Sequence, residues 1–151
     1  MERTHEAYME IALLEAQKAL KANEVPIGVV IVRDGKIIAK AHNTREKSHD
    51  ATAHAEILAI RKACKKLRDF RLNDCIMYVT LEPCTMCMGA VLNSRVGTLV
   101  FGASQDKENV LSAAEINERA NLNHKTQIVS GVLAEECSSI VSAYFKSKRK
   151  K

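Results

Sequence analysis

The spacing of apolar residues in the first part of the chain predicts one helix followed by a β-hairpin. Between residues 4 and 22, apolar side chains recur every three or four positions, which is the period of an amphipathic helix. The apolar stretch VPIGVVIVR comes next, is rich in β-branched residues, and is followed by KIIAKAH. Asp34-Gly35 separates the two stretches, and Asp-Gly between strand-like runs favours a tight turn. We therefore expect two antiparallel neighbouring strands.

The rest of the chain alternates between helix-like and strand-like segments. Residues 51–67, ATAHAEILAIRKACKKL, have the composition of a helix, and Thr52 is its expected N-cap. Residues 75–81, CIMYVTL, are typical of a strand. The polar, mixed region 102–125 predicts a loop that contains one helix near 110–120. The other predicted elements are a short helix at 85–94, a strand at 96–104, a weak strand at 127–131 and a closing helix at 133–148.

The order of these elements predicts an α/β fold, with a single domain over residues 1–151. Helices that alternate with strands favour a three-layer α-β-α sandwich, in which a central mixed five-stranded sheet carries helices on both faces. The later strand–helix–strand units should be parallel and joined by right-handed crossovers. A chain of 151 residues is long enough to bury a hydrophobic core.

Composition favours a globular protein of the cytoplasm. Hydrophobic residues make up 46% of the chain and charged residues 27%, and no apolar run approaches the ~18 residues that a membrane span needs. The first ten residues, MERTHEAYME, lack the apolar core of a secretory signal. We therefore expect a cytoplasmic location, no membrane partner and no disulfides.

The excess positive charge lies at the C-terminus. The net charge is +5, and five of the 23 lysines and arginines lie in KSKRKK, residues 146–151, so the rest of the chain carries as many cations as acids. A basic tail of this kind can pair with nucleic-acid phosphates. It can equally be a solvated, frayed end that favours solubility. Charge alone leaves both interpretations open.

Two cysteines in PCTMC, residues 83–87, are the first candidates for chemistry. Cys84 and Cys87 would share one face at the start of a predicted helix, where unpaired N–H groups favour the thiolate. Their spacing alone fits a redox pair, half of a structural metal site, or two ligands of a catalytic metal. His54, in TAHAE at the start of another predicted helix, could supply an imidazole nitrogen as a third ligand.

The number of ligands and a nearby acid favour a catalytic zinc site. His49 and Cys75 are the nearest candidates for a fourth ligand, but neither has the paired spacing of a zinc finger. Three protein ligands leave one position for water, as in catalytic sites. Glu56, two residues after His54, could then move protons to and from that water. A nucleic-acid-binding protein with a structural zinc and a redox protein are the alternatives, and neither needs Glu56.

The motif H-x-E followed by P-C-x-x-C is the signature of zinc-dependent nucleobase deaminases. The chain resembles the cytidine/deoxycytidylate deaminase superfamily over nearly its whole length, and within it the bacterial tRNA-specific adenosine deaminases. TAHAE, TLEPCTMCMGA and FGASQDK carry the more particular resemblance. The other similar stretches are EVPIGVVIV at 24–32, HN at 42–43, NH at 123–124 and GVLAEEC at 131–137.

The resemblance implies a cytidine deaminase-like fold and zinc-dependent, hydrolytic deamination of adenosine to inosine at the wobble position of tRNA. It implies His54, Cys84 and Cys87 as ligands of one zinc ion per chain, and Glu56 as the proton shuttle. It also implies an anticodon stem-loop as partner and a homodimer. The residues expected to contact the substrate are Asn43, Asp106, Lys107 and Asn123. The alternative is a related deaminase of a free base or nucleoside such as guanine or cytosine, which would use the same zinc site.

Overall fold

A computed structural model describes residues 3–105, 111–120 and 124–149 of the chain. The helices are α1 His5–Lys21, α2 Arg45–Ser48, α3 Ala55–Leu67, α4 Thr85–Asn93, α5 Ala113–Arg119 and α6 Ala134–Arg149. The strands are β1 Gly28–Arg33, β2 Lys36–His42, β3 Cys75–Leu81, β4 Thr98–Ala103 and β5 Gln127–Val129. Within the described ranges, no helix is long and apolar enough to cross a bilayer. The predicted substrate contacts Asp106, Lys107 and Asn123 lie outside these ranges.

The five strands form one mixed sheet in the order β2-β1-β3-β4-β5. β1 pairs antiparallel with β2 and with β3, whereas β3, β4 and β5 run parallel. The predicted hairpin is confirmed: Asp34 and Gly35 both have positive φ, at 50° and 72°, as a type I′ turn requires. The parallel pairing of the later strands is confirmed as well. The antiparallel pairing of β1 with β3 has no counterpart in the sequence pattern.

Helices cover both faces of the sheet, which confirms the predicted three-layer sandwich. Val29 and Ile31 of β1 belong to a core cluster that contains residues of α3, α4 and α5. Val30 and Val32 point to the opposite face, where they pack in a cluster with residues of α1 and α6. The two faces alternate because successive side chains of a strand point to opposite sides.

The strand register brings the ends of β2, β3 and β4 and the start of β1 to the same edge of the sheet. Gly28 at the start of β1 pairs with His42 at the end of β2. Val29 pairs with Val79 near the end of β3, and the ends of β3 and β4 are neighbours in their turn. The segments that leave β2, β3 and β4 therefore start close together. The first leads through α2 to α3, and the second leads to α4.

Gly28 allows helix α1 to lie directly on strand β1. A Cβ atom at this position would overlap the carbonyl oxygen of Ala12 and lie 2.6 Å from the amide nitrogen of Ala16. Both atoms belong to the helix backbone, so the helix would have to move away from the sheet. We expect Gly28→Ala to lower the free energy of unfolding, measured by chemical denaturation, by about 3 kcal/mol.

Gly89→Ala is the matched control for this substitution. A Cβ at Gly89 meets no atom within 4 Å outside its own helix, and alanine is favoured over glycine in a helix by about 1 kcal/mol. The control should be as stable as the wild type or more so. Equal stability of the two variants would show that α1 does not depend on close approach at Gly28.

The predicted N-cap of α3 is wrong. The helix begins at Ala55, and His54 rather than Thr52 occupies the N-cap position. Thr52 donates its hydroxyl to Oδ1 of Asp50 at 2.7 Å, in a turn that precedes the helix. The acceptor for the helix start comes from Asn43, whose Oδ1 accepts a hydrogen bond from the Ala55 N–H at 2.7 Å. Local cap preferences do not reveal an acceptor from another segment.

The short helix α2 has the same kind of remote cap and is not predicted from the sequence. The carboxylate of Glu24 accepts hydrogen bonds from the backbone N–H of Glu46 at 3.1 Å and of Lys47 at 2.9 Å. Glu24 is buried, so its two oxygens are satisfied by the N–H groups that a helix start leaves free. The helix expected near 110–120 is present as α5, which opens with a capping box of its own.

Candidate active site and metal centre

The starts of α3 and α4 meet beyond the end of β3. His54 lies at the N-cap of α3, Cys84 at the N-cap of α4, and Cys87 in the first turn of α4. Nδ1 of His54 lies 3.7 Å from Sγ of Cys84 and 3.5 Å from Sγ of Cys87. All three ligand atoms lie within 4.8 Å of one another. In the part of the chain that the structure describes, no other group of three His, Cys, Asp or Glu residues meets this geometry.

The three side chains are a donor set that could hold a metal ion. One imidazole nitrogen and two thiol sulfurs are ligand types that zinc prefers. Cys75 is not part of the group, because it begins β3 while the cluster lies beyond the other end of that strand, roughly 20 Å away at ~3.3 Å per residue. His49 is not part of it either. Among the described residues, the cluster therefore offers three protein ligands.

The two thiols of the cluster differ strongly in acidity. The hydrogen bond with the Cys87 thiol lowers the pKa of Cys84 to about 5, although burial opposes this, and the backbone N–H groups at the start of α4 and His54 also lower it. The hydrogen bond with Cys84 and burial raise the pKa of Cys87 above the ordinary thiol range. The metal-free pair therefore holds one thiolate and one proton near neutral pH, and a cation that replaced the proton would stabilise both sulfurs as thiolates.

Glu56 lies in the first turn of α3 beside this cluster and is almost fully buried. Its side chain is 2% exposed, and Oε1 has no hydrogen-bond partner among the described residues. Burial raises the pKa of Glu56 to about 7, and the neighbouring Cys84 adds to the increase. Buried polar atoms without a partner are uncommon, so this oxygen calls for a ligand that binds there. A carboxyl group that titrates near neutral pH is suited to general acid–base chemistry.

The burial of Glu56 predicts how the stability of the metal-free chain depends on pH. The pKa of Glu56 is 4.5 in the unfolded chain and about 7 in the folded chain. Between these pH values the folded chain therefore keeps a proton that the unfolded chain releases. The protonated Glu56 contributes fully to the free energy of unfolding below pH 4.5, and this contribution is lost as the pH rises through about 7. At about 1.4 kcal/mol per unit, the whole shift corresponds to about 3 kcal/mol. Denaturation of the metal-free wild type and metal-free Glu56→Gln across this range measures the difference.

The Glu56→Gln chain cannot ionise at this position, so its stability should lack this component of the pH dependence. The stability of the wild type relative to the variant should therefore fall between pH 4.5 and about 7. Parallel curves for the two metal-free proteins would contradict the raised pKa.

Asn43 lies next to the cluster at the end of β2 and is 2% exposed. Its Oδ1 accepts a hydrogen bond from the N–H of Ala55, which stands between His54 and Glu56 in the chain. Asn43 therefore fixes the helix turn that carries both of those side chains. Its predicted contact with substrate stays a prediction.

Sequence reasoning missed Glu82, which lies between β3 and the PCTMC motif. The residue is 6% exposed, and its carboxylate accepts hydrogen bonds from the backbone N–H groups of Gln105 and Ala113. The available sequence signal is an acidic residue directly after a buried strand. That signal does not show which N–H groups the carboxylate would meet, because both lie more than twenty residues further along the chain.

Comparison with known proteins places the chain among the deaminases. A family model described as MafB19-like deaminase matches residues 3–137. A tRNA-specific adenosine deaminase of Bacillus subtilis (strain 168) is 50% identical over 148 residues, which cover 97% of this chain and 91% of that protein. Both similarities extend over the His54, Cys84 and Cys87 cluster.

Solved structures show the same fold. A structure from a study of A-to-I editing by tRNA:A34 deaminases at the wobble position of transfer RNA superimposes with a TM-score of 0.83 and 41% identity, covering 89% of this chain and 98% of that chain. A guanine deaminase from Bacillus subtilis has a TM-score of 0.66 and 33% identity, covering 99% and 96%. The cytidine deaminase-like fold is thereby confirmed. The resemblance noted in the sequence is confirmed as well: this chain belongs to the tRNA-specific adenosine deaminase family.

Proposed function

We propose that this protein catalyses zinc-dependent hydrolytic deamination of adenosine to inosine at the wobble position of tRNA. The observation that carries the proposal is the buried Oε1 of Glu56, unpaired among the described residues, beside the cluster of His54, Cys84 and Cys87. Metal-assisted hydrolysis needs ligands for an ion and a proton carrier next to it. The 50% identity to a tRNA-specific adenosine deaminase supports adenosine in tRNA as the target.

His54, Cys84 and Cys87 would hold one zinc ion per chain. When bound, zinc supplies Lewis-acid activation of water, whose pKa it lowers to about 7. The lowered pKa of Cys84 supports this role, since a thiolate rather than a thiol binds metal. The third ligand, His54, is held at the N-cap of α3 by the same helix start that Asn43 caps.

Glu56 would carry the protons of the reaction. Its Oε1, which meets no partner among the described residues, is available to accept a proton from the attacking water. The same atom can deliver that proton to N1 of adenine and assist protonation of the amino group as it leaves. Water adds at C6 and ammonia departs, so adenosine and water become inosine and ammonia. A pKa of about 7 allows the carboxyl group to take and give a proton near neutral pH.

The proposed substrate contacts are one described residue, Asn43, three residues outside the described ranges, and the basic tail. The Oδ1 of Asn43 is used by the N–H of Ala55, so the side-chain NH2 group is the donor for the base or ribose of the target. The further proposed RNA contacts are Asp106, Lys107, Asn123 and the basic tail 146–151. Phosphate contacts of the tail would position the anticodon stem-loop, while the residues around Glu56 would select the base.

We also propose that the protein works as a cytoplasmic homodimer of single-domain chains. The match of one deaminase family model to residues 3–137 supports a single domain. The homodimer is proposed from the family resemblance, and the location from the tRNA substrate of the Bacillus subtilis relative. Sedimentation of the zinc-loaded protein measures the oligomeric state.

A deamination assay tests the proposed function. Purified, zinc-loaded protein is incubated with an anticodon stem-loop that has adenosine at the wobble position and, separately, with guanine, cytosine, adenosine and cytidine. We expect inosine in the stem-loop and none with Glu56→Ala. If a free base is turned over and the stem-loop is unchanged, the protein is still a deaminase, but the proposed tRNA substrate is wrong.

A further inference from the structure

The four exposed residues of helix α3 are all cations. They lie in the second half of the helix, and they are Arg61, Lys62, Lys65 and Lys66. At about 100° per residue, their side chains occupy one arc of about 140° around the helix axis. The single acidic residue of the helix is Glu56, which is buried beside the metal-ligand cluster. The exposed side of α3 is therefore entirely cationic.

This charge pattern does not serve the stability of the helix. Arg61 and Lys65 stand four residues apart, and so do Lys62 and Lys66, a spacing at which like charges repel. Lys65 and Lys66 lie in the last turn, where the helix dipole favours cations, but Arg61 and Lys62 lie before it. Helix stability therefore does not account for all four charges.

Neighbouring carboxylates do not neutralise the lysines of this face. Within the described ranges, no carboxylate forms a salt bridge with any of the four cations. Asp69, which follows the helix, pairs instead with Arg71 at 3.1 Å. Hydrogen bonds with Thr52 lower the pKa of Asp50, and the charge of Arg61 lowers it further, so Asp50 balances part of the Arg61 charge. The three lysines keep theirs.

Lys40 extends the positive charge onto the neighbouring strand. The Nζ of Lys62 donates a hydrogen bond to the backbone carbonyl of Lys40 at 2.8 Å, so this side of α3 lies against β2. Lys40 is exposed, and β2 is an edge strand of the sheet. A lysine on an edge strand deters pairing with other strands, but this explanation does not apply to a helix. We define the α3 basic surface as Lys40, Lys62, Lys65 and Lys66.

The α3 basic surface begins close to the candidate active site. Helix α3 starts at that site, with His54 at its N-cap and Glu56 in its first turn. At 1.5 Å per residue, Lys62 lies about 9 Å and Lys66 about 15 Å further along the helix axis than Glu56. The surface is therefore within reach of a polymer that is bound at the site.

The composition of the surface favours a nucleic acid over a protein as its partner. Lysine is depleted in protein–protein interfaces, whereas binding of nucleic-acid phosphates depends on lysine and arginine. Helix α3 is described throughout, and none of its apolar side chains is exposed. Its exposed side therefore lacks the apolar anchors of a protein interface.

We propose that the α3 basic surface binds the phosphate backbone of the tRNA substrate. The inference rests on the proposed function, because tRNA is the polyanion expected at the site. Each ammonium group attracts a phosphate as a point charge and displaces counterions, so the surface raises the affinity for RNA of any sequence. The choice of adenosine is left to the residues around Glu56.

A triple variant with Lys62→Gln, Lys65→Gln and Lys66→Gln tests the inference, because glutamine is a good helix former without the charge. Binding of full-length tRNA with adenosine at the wobble position is measured by fluorescence anisotropy at several salt concentrations. We expect the slope of log affinity against log salt concentration to fall in magnitude by about 2–3, and Kd at about 50 mM salt to rise at least tenfold. If the triple variant does not fold, each single variant should lower the slope by about 1.

Two further readouts distinguish phosphate binding from a structural role. The loss of affinity should be equal for the same tRNA with guanosine at the wobble position, since phosphate contacts do not read the base. In deamination assays KM should rise with Kd, while kcat stays within about twofold of the wild type, since Glu56 and the candidate ligands are unchanged.

The matched control removes three cations next to the edge of the sheet that lies opposite the site, with Arg33→Gln, Lys36→Gln and Lys125→Gln. Its net charge equals that of the triple variant, so a general effect of charge would appear in both proteins. The control should keep the wild-type slope. A second control that changes the three α3 lysines to arginine retains their charge and should keep it as well.

The outcomes separate this inference from the proposed function. A lower slope for the α3 variant alone supports the surface. An unchanged slope, or an equal fall in the far-edge control, overturns the surface and leaves the proposed function intact. An unchanged slope with weaker self-association in sedimentation also overturns it, and assigns these lysines to contact with a second copy of the chain. A lower slope together with a wild type that forms no inosine supports the surface and contradicts the proposed function.

Discussion

Replacing Glu56 with glutamine is expected to lower deamination of the wobble-adenosine stem-loop by about 10²–10⁴-fold, the range that general acid–base catalysis contributes. Glutamine has nearly the volume of glutamate but cannot take up or release a proton. The side chain is 2% exposed, and its Oε1 has no hydrogen-bond partner among the described residues. The loss should appear in kcat as well as in kcat/KM, because the chemical step itself is impaired.

Three measurements define this result. Initial rates are followed by inosine formation in the stem-loop, zinc is quantified in the purified protein, and folding is checked by thermal denaturation. Zinc content should equal the one ion per chain proposed for the wild type, since Glu56 is outside the group of three candidate ligands. Glu10→Gln, an exposed glutamate on α1, should have wild-type activity. Full activity of Glu56→Gln would contradict the proposed proton transfer and favour a structural role for the metal.

Replacing Cys87 with alanine is expected to remove the bound metal and, with it, activity by a factor on the order of 10³ or more. Cys87 is fully buried, and its Sγ lies 3.5 Å from Nδ1 of His54. The two remaining candidate ligands, His54 and Cys84, cannot form the three-ligand set, so zinc should be lost during purification and fail to rebind at micromolar concentrations. Since metal binding stabilises only the folded chain, the variant should also gain no thermal stability from added zinc.

Cys75→Ala is the matched control for this experiment. Cys75 is as well buried as Cys87, at 2% exposure, but begins β3 at the far end of the strand. The control should lose about 1–2 kcal/mol of stability from a smaller core side chain and retain its zinc. Loss of zinc from the control would show that Cys75 is a ligand, as a structural site would require. Retained zinc and activity in Cys87→Ala would remove that residue from the ligand set.

Local sequence patterns were sufficient for most of the helices and strands. The β-branched run before Asp34 and the Asp-Gly turn predict β1, β2 and their antiparallel pairing, because alternation and turn chemistry involve neighbouring residues. The strand at Cys75–Leu81 has the predicted bounds. The start of α3 was misplaced, since the acceptor that caps Ala55 comes from Asn43, on a different segment.

The capping roles of buried carboxylates could not be predicted from local sequence patterns. Glu24 caps α2 from 22 residues away, and Glu82 holds the start of α5 from 31 residues away. Nothing in the sequence around either residue distinguishes it from an acidic residue on the exposed surface. Their roles depend on which N–H groups the fold brings to them, and that is decided by strand order and register.

The sequence by itself determined the element types, the family and the candidate chemistry, because H-x-E and P-C-x-x-C place particular side chains at helix starts. Only the tertiary structure decided that these side chains meet. The pairing of β1 between β2 and β3 brings Asn43 and the PCTMC motif to one edge of the sheet, where α3 and α4 begin. The same packing buries Glu56, and this burial raises the pKa of its carboxyl group to about 7. Burial and long-range pairing depend on the whole fold, so no local pattern could reveal them.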